Sequence, residues 1–255
     1  MKMRRINLAL FSAFLACLVS LPILCVDRFR SNEDNPWQLT PFNNDSLSVF
    51  YKENYRTFDS HTLMSDLTDS AKKTVMVLVD GWGVPYDEKM LLQDFELLKN
   101  DNAKFALHKR FLAYTSHAEG VEYSVGFKDG VLLALGDSAY CSEKLGLQNA
   151  NFKQTICFVG NDDSRMVQAV DSLINEGAWN KIAWTVRSTR EGNREKLHEV
   201  LRGLSDVASR HPDVQFIIQG THRPILGTPE TRRKYLAPWV PAVFINCELK
   251  KLSKK

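Results

Sequence analysis

The chain has 255 residues, 44% of them hydrophobic and 25% charged, with a net charge of +3. This is the composition of a folded globular protein, not of a disordered or fibrous one, and so small a net charge argues against a nucleic-acid partner. The length allows one α/β domain with a substantial core, and no internal repeat or low-complexity tract interrupts it.

Residues 1–26 form the first unit. Met1-Lys2-Met3-Arg4-Arg5 is basic, and Ile6 to Val26 is a run of 21 residues without a charge. A helix of roughly 20 apolar residues spans the hydrocarbon core of a bilayer. The basic head places the N-terminus in the cytoplasm and the rest of the chain outside. The expectation is an uncleaved transmembrane helix in a single-pass cell-membrane protein, its domain facing the periplasm or cell exterior. The rival reading is a cleaved signal peptide, although the run is long for one and lacks a clean A-x-A site. Residues 27–73 are polar and rich in Asn, Asp, Ser and Thr. They read as a juxtamembrane linker with one short helix near Leu63 to Ala71.

Residues 74–255 read as the α/β domain. Thr74-Val75-Met76-Val77-Leu78-Val79 is apolar without alternation, the pattern of a strand buried on both faces in a parallel sheet. It ends abruptly in Asp80-Gly81-Trp82-Gly83. A carboxylate at a strand's C-terminal end suits a metal ion or proton transfer, because open α/β sheets bind ligands at that edge. The plain alternative is an Asp that caps the following turn. Helical spacing follows over Lys89 to Asn100, then a strand over Lys104 to Tyr114 that ends in Thr115-Ser116-His117. Further strands are expected at Val131 to Leu135, Thr155 to Val159, Lys181 to Val186, Val214 to Gln219 and Ala242 to Cys247. Helices are expected over Arg165 to Asn175 and Arg194 to Arg210, the latter with Leu197, Leu201, Leu204 and Val207 on one face. Strands alternating with helices predict a three-layer α/β/α domain with a mostly parallel sheet.

The five cysteines, Cys17, Cys25, Cys141, Cys157 and Cys247, form no CxxC pair, so a structural zinc site is not expected. In an oxidising compartment Cys141 and Cys157 can bridge a loop; the alternative is two free buried thiols.

The segment Asp80-Gly81-Trp82-Gly83 after its strand resembles the first metal-binding segment of the alkaline phosphatase superfamily. The likeness is greatest to its cofactor-independent phosphoglycerate mutase branch, and membrane-anchored phosphoethanolamine and phosphoglycerol transferases are similar to it in layout. It covers roughly Thr74 to Cys247, mainly as a layout. The resemblance implies a Ser or Thr nucleophile beyond the next helix and strand, where Thr115 and Ser116 stand; without it they read as helix N-caps. It implies an Asp-x-x-x-His segment where Thr189 and Asn193 stand, and an Asp-His-Gly segment where Thr221, His222 and Arg223 stand. Asp80 and His222 therefore remain as metal ligands, sufficient for at most one divalent ion (zinc, manganese or magnesium), while Thr189, Asn193 and Thr221 replace stronger ligands. Arg187, Arg190 and Arg223 flank these positions. Guanidinium groups bind phosphate bidentately; the alternative is ordinary surface charge. The functional expectation is an envelope protein acting on phosphate esters, as phosphotransferase or hydrolase, on a phosphorylated small molecule or lipid head group. The second is a non-catalytic pseudoenzyme of the same fold that holds such a ligand through its arginines.

Overall fold

The structure, a computed structural model, describes residues 46–58, 67–109, 130–136, 152–160, 163–177, 179–224 and 226–250. In chain order these form α1 (Val49–Asn54), β1 (Arg56–Phe58), β2 (Thr74–Val79), α2 (Glu88–Glu96), β3 (Ala103–Lys109), β4 (Gly130–Gly136), β5 (Phe152–Val159), α3 (Ser164–Glu176), β6 (Lys181–Val186), α4 (Arg194–Arg210), β7 (Gln215–Gly220), α5 (Pro229–Arg232) and β8 (Trp239–Ile245). All fall within one unit, Leu39–Lys255. The expected anchor at 1–26 lies outside the described residues, and none of the described helices is long and apolar enough to cross a membrane.

The eight strands form one mixed sheet in the order β1-β3-β8-β7-β2-β6-β4-β5. β2 lies between β7 and β6 and runs parallel to both. β1 with β3, β4 with β5 and β4 with β6 are also parallel. β8 alone runs against its neighbours, β3 and β7. Every residue of β2 and β7 is buried, as an unbroken apolar run covered on both faces requires.

Strand side chains alternate between faces, and two cores result. Val75, Val77 and Val79 join Leu91 and Phe95 of α2, Met166, Val170 and Ile174 of α3, and Leu197, Leu201, Leu204 and Val207 of α4. Met76 and Leu78 point the other way, to Phe58, Leu67, Ile217, Phe244 and Cys247. Each fully buried aliphatic side chain contributes about 1.5–3 kcal/mol of transfer free energy. Among the described residues all helical packing is on the first face, so the described architecture is a helix layer on a mixed sheet; the expected second helix layer is not part of it.

The helices begin where their caps dictate. Asp87 accepts from the Lys89 N–H at the start of α2, and Asn193 accepts from the Lys196 N–H at the start of α4. α3 ends at Gly177 in the left-handed conformation. Part of the segment read as linker belongs to the fold. Tyr51 of α1 is 1% exposed and donates its hydroxyl to the Pro85 carbonyl at 2.7 Å, and β1 extends the sheet beside β3. A three-residue strand is too short to leave an alternation pattern in the sequence.

Candidate functional site

Because β7, β2 and β6 are parallel neighbours, the residues that follow them emerge at one edge of the sheet. Asp80 follows β2, Arg187 to Arg190 follow β6, and Thr221 to Arg223 follow β7. Backbone bonds hold the three loops together. The Asp80 N–H donates to the Val186 carbonyl at 3.0 Å, and the Thr221 N–H to the Val79 carbonyl at 3.1 Å.

The loops approach so closely that side chains are excluded. Gly81 has φ +77°, and a Cβ there would lie 2.5 Å from the Thr189 carbonyl oxygen. A Cβ on Gly220 would lie 1.9 Å from the Trp82 carbonyl oxygen. The glycines of the Asp80 segment therefore serve close packing of three backbones.

Asp80 is 6% exposed. The Thr221 hydroxyl donates to its Oδ1 at 2.8 Å, and His222 Nε2 stands 3.8 Å from the same oxygen. The Thr189 hydroxyl donates to the Asp80 backbone carbonyl. His222 is 1% exposed, and its Nδ1 lies 2.7 Å from the Arg223 carbonyl oxygen. A carbonyl only accepts, so Nδ1 carries the hydrogen. Nε2 is then the ring nitrogen nearer the Asp80 carboxylate.

Asp80 and His222 thus converge, as the strand-end reading expects. Thr221 and Thr189 stand beside them as hydroxyl donors to Asp80. Asn193 does not share that role: its side chain caps α4. Arg190 Nε donates to the Arg187 carbonyl at 3.2 Å, and Arg187 Nη1 donates to the Leu135 carbonyl at the end of β4 at 3.5 Å. The Arg223 backbone packs against Gly83. All three arginines are half-buried at this edge. Thr115 and Ser116 lie outside the described residues. So does the expected partner Cys141, but Cys157 is disulfide-bonded and Cys247 is free.

Two acids behind the site were not singled out in the sequence. Asp163 is 3% exposed and accepts from the Ser188 N–H at 3.1 Å. Burial pushes its carboxyl pKa up, opposed by Ser188 and Trp184, and the charge of Asp80 adds to the rise. Asp94, placed by sequence on an amphipathic helix, is 1% exposed. Its Oδ2 accepts from Trp82 Nε1 at 3.1 Å, and its Oδ1 meets Arg194 Nη2 at 2.7 Å and His198 Nε2 at 2.9 Å. Trp82 belongs to the Asp80 segment, so this cluster fixes that segment from behind. The available signal was a tryptophan N–H that burial obliges to find an acceptor.

A donor set for metal can be assessed on these residues. Among the described residues no three His, Cys, Asp or Glu side chains gather as a metal-binding group. Asp80 and His222 supply two ligands, and Oδ1 of Asp80 is already engaged by Thr221. The described residues do not make up a two-metal centre, and Asp80 and His222 are the two that would hold a single ion.

The fold and site define a class: an α/β domain with a buried Asp–His pair and three arginines at the C-terminal edge of its parallel strands. No protein-family model matches the chain, and no curated protein matches it. Solved structures do, and they include members of the alkaline phosphatase superfamily. One such protein from Vibrio parahaemolyticus is 13% identical, with a TM-score of 0.39 over 71% of this chain and 61% of that one, so the chain spans less than two thirds of it. The periplasmic domain of EcEptC from Escherichia coli, in complex with zinc, is 11% identical, with a TM-score of 0.42 over 72% of this chain and 75% of that one. The phosphoglycerol transferase GacH from Streptococcus pyogenes, in complex with sn-glycerol-1-phosphate, is 11% identical, with a TM-score of 0.46 over 73% of this chain and 72% of that one.

Proposed function

We propose that this chain is a membrane-anchored, extracytoplasmic protein that engages phosphate esters of the envelope, as a phosphotransferase or hydrolase. The observation that carries the reading is the 3.8 Å approach of His222 to Asp80 beyond two adjacent strands, with Arg187, Arg190 and Arg223 in the segments that follow β6 and β7. Arg187, Arg190 and Arg223 would hold the phosphate oxygens. Asp80 and His222 would hold one divalent ion, zinc, manganese or magnesium. Such an ion supplies charge stabilisation and lowers the pKa of an attacking hydroxyl, and Thr115 or Ser116 would provide that hydroxyl. The disulfide at Cys157 suits an oxidising compartment, and the apolar run in residues 1–26 would anchor the chain. The ligand would be a phosphorylated small molecule or lipid head group.

A second reading is favoured by the Thr221 hydroxyl on Asp80. With this donor in place of an acid, the carboxylate is satisfied without a metal, and the chain would bind its phosphate ester without turning it over. One experiment separates the two. The full chain, purified in detergent, is analysed for bound metal and incubated with p-nitrophenyl phosphate and glycerol phosphate. One metal per chain with turnover that an Asp80→Asn change abolishes supports the enzyme. Saturable phosphate binding without turnover supports the binding protein. Neither binding nor turnover overturns both.

A further inference from the structure

We propose that the loop surface carrying Tyr86, Leu226, Arg233 and Lys234 docks on an anionic lipid bilayer, the one that the apolar run of residues 6–26 would enter. The inference rests on the membrane-anchored reading above and adds to it the face that meets the lipid.

Three segments beyond the strand ends are tied into this surface. The Tyr86 N–H donates to the Lys234 carbonyl at 2.8 Å, and the Leu236 N–H to the Val84 carbonyl at 2.8 Å. A Cβ on Gly83 would lie 2.9 Å from Arg223 Cα, and one on Gly227 would lie 2.7 Å from the Glu191 carbonyl oxygen. α1 joins the same side, since Tyr51 donates to the Pro85 carbonyl and Ser48 Oγ to Glu88 Oε1, each at 2.7 Å. Five large apolar side chains stand exposed among the described residues. Four of them, Val49, Tyr86, Leu92 and Leu226, are on these segments or on the turn of α2 that follows Glu88. Tyr86 and Leu226 are 55% and 54% exposed.

The charge between them is basic. Segment 221–234 holds Arg223, Arg232, Arg233 and Lys234 against Glu230, and Arg233 and Lys234 are exposed. The acids of the neighbouring segment are engaged: Asp87 caps α2, and Glu88 accepts the Ser48 hydroxyl. Single apolar side chains among long basic ones suit a membrane–water interface. There Tyr and Leu enter the headgroup layer, and Lys and Arg reach anionic phosphates. A protein partner would need a broader apolar centre, and protein interfaces are poor in Lys.

So few contacts bind weakly by themselves. With the apolar run in a bilayer, however, only residues 27–45 separate it from Ser46, and a stretch of that length reaches at most about 65 Å. Such a tether makes docking intramolecular, so a weak surface suffices.

The test reconstitutes the full chain in nanodiscs of phosphatidylcholine alone, or of equal parts phosphatidylcholine and phosphatidylglycerol. Acetylation of each lysine by a water-soluble reagent is followed by mass spectrometry. Lys234 should react at least about fivefold more slowly in the anionic discs, the factor of one basic residue at such a surface. Lys72, exposed before β2 at the opposite edge of the sheet, should not change. Tyr86→Ser combined with Leu226→Ser, or Arg233→Glu alone, should return Lys234 to its rate in phosphatidylcholine; these side chains are exposed, so the fold is kept. Equal Lys234 rates in the two discs overturn the proposal, as do unchanged protection in either variant and equal slowing at Lys72. A chain that does not stay with the discs refutes the anchored reading, and the docking surface with it. A chain that stays but leaves Lys234 reactive refutes the docking surface alone.

Discussion

Replacing Asp94 with alanine perturbs the cluster that fixes the Asp80 segment from behind. The carboxylate accepts from Trp82 at 3.1 Å and meets Arg194 at 2.7 Å and His198 at 2.9 Å. Three charge-assisted bonds at about 1.5–3 kcal/mol each would sum to more than the whole effect. Two facts reduce the figure. Arg194 Nη2 keeps the Met90 carbonyl at 3.2 Å, and the side chains of Arg194 and His198 are 26% and 22% exposed, so water replaces part of what they lose. Trp82 is 1% exposed and has no such recourse. Removing one partner of a buried ion pair costs about 3–5 kcal/mol, and the partial exposure places Asp94→Ala near the lower end, about 3–4 kcal/mol. Urea denaturation of the full chain in detergent measures it, with the slope unchanged if the loss is one of stability alone. A double-mutant cycle with Arg194→Ala should show coupling of about 0.5–3 kcal/mol, as contacting charges do. A loss below about 1 kcal/mol in Asp94→Ala refutes the reasoning, because the cluster would then not hold the segment.

Gly220→Ala should cost at least about 3 kcal/mol, above the usual range for overpacking, because its Cβ would lie 1.9 Å from the Trp82 carbonyl oxygen; a thermal melt matching the parent contradicts the close approach. Thr221→Val should cost about 1–3 kcal/mol by leaving a buried oxygen of Asp80 without its donor, and an unchanged urea midpoint counts against that bond. Burial pushes the Cys247 thiol up to about 12, so a thiol reagent at pH 8 should label the native, unreduced chain at Cys247 only after unfolding. In the same assay Cys141→Ser should expose a reactive Cys157; if Cys157 stays unreactive, Cys141 is not its partner. Burial also raises the Asp163 pKa in the native state, so the folded chain holds that proton more tightly than the unfolded chain. Its contribution is complete below the unfolded value near 3.9 and is lost as pH rises through the native value. The stability of Asp163→Asn relative to the parent should therefore increase with pH above about 4, and a flat difference across the acidic range denies the shift.

The sheet was legible because its central strands are unbroken apolar runs that end in glycine and polar residues. Lys181 to Val186 and Arg194 to Arg210 fall where the periodicity puts them. The direction of β8 was not legible: a strand buried on both faces reads alike whether its neighbours are parallel or antiparallel. The proximity of Asp80 and His222 was legible since each follows a buried strand. Asp163 was not, because an acid before a helix ordinarily caps it and only the structure reveals that its side chain turns away. Asp94 was hidden by the same kind of rule. A polar residue inside an amphipathic helix reads as its wet face, and here the wet face is covered by Trp82, Arg194 and His198.

The residues around Asp80 form a coherent electrostatic set. An acid at position 221 would place a second carboxylate against Asp80, and two carboxylates so close need a cation between them. Threonine removes that need: its hydroxyl supplies the hydrogen bond, at 2.8 Å, without adding charge. Threonine at 189 likewise spends its hydroxyl on the Asp80 backbone rather than on an ion. In the segments 80–86, 187–193 and 221–228, Arg187, Arg190 and Arg223 outnumber Asp80 and Glu191, so their formal charge is positive before any metal enters. Anion binding then needs no metal, while activation of a hydroxyl still does. On the proposed reading, binding and turnover rest on different residues. Changes at Arg187, Arg190 and Arg223 should act on affinity for a phosphate ester, and changes at Asp80 and His222 on turnover. In a chain that only binds, the latter pair matters for the shape of the loop and nothing more.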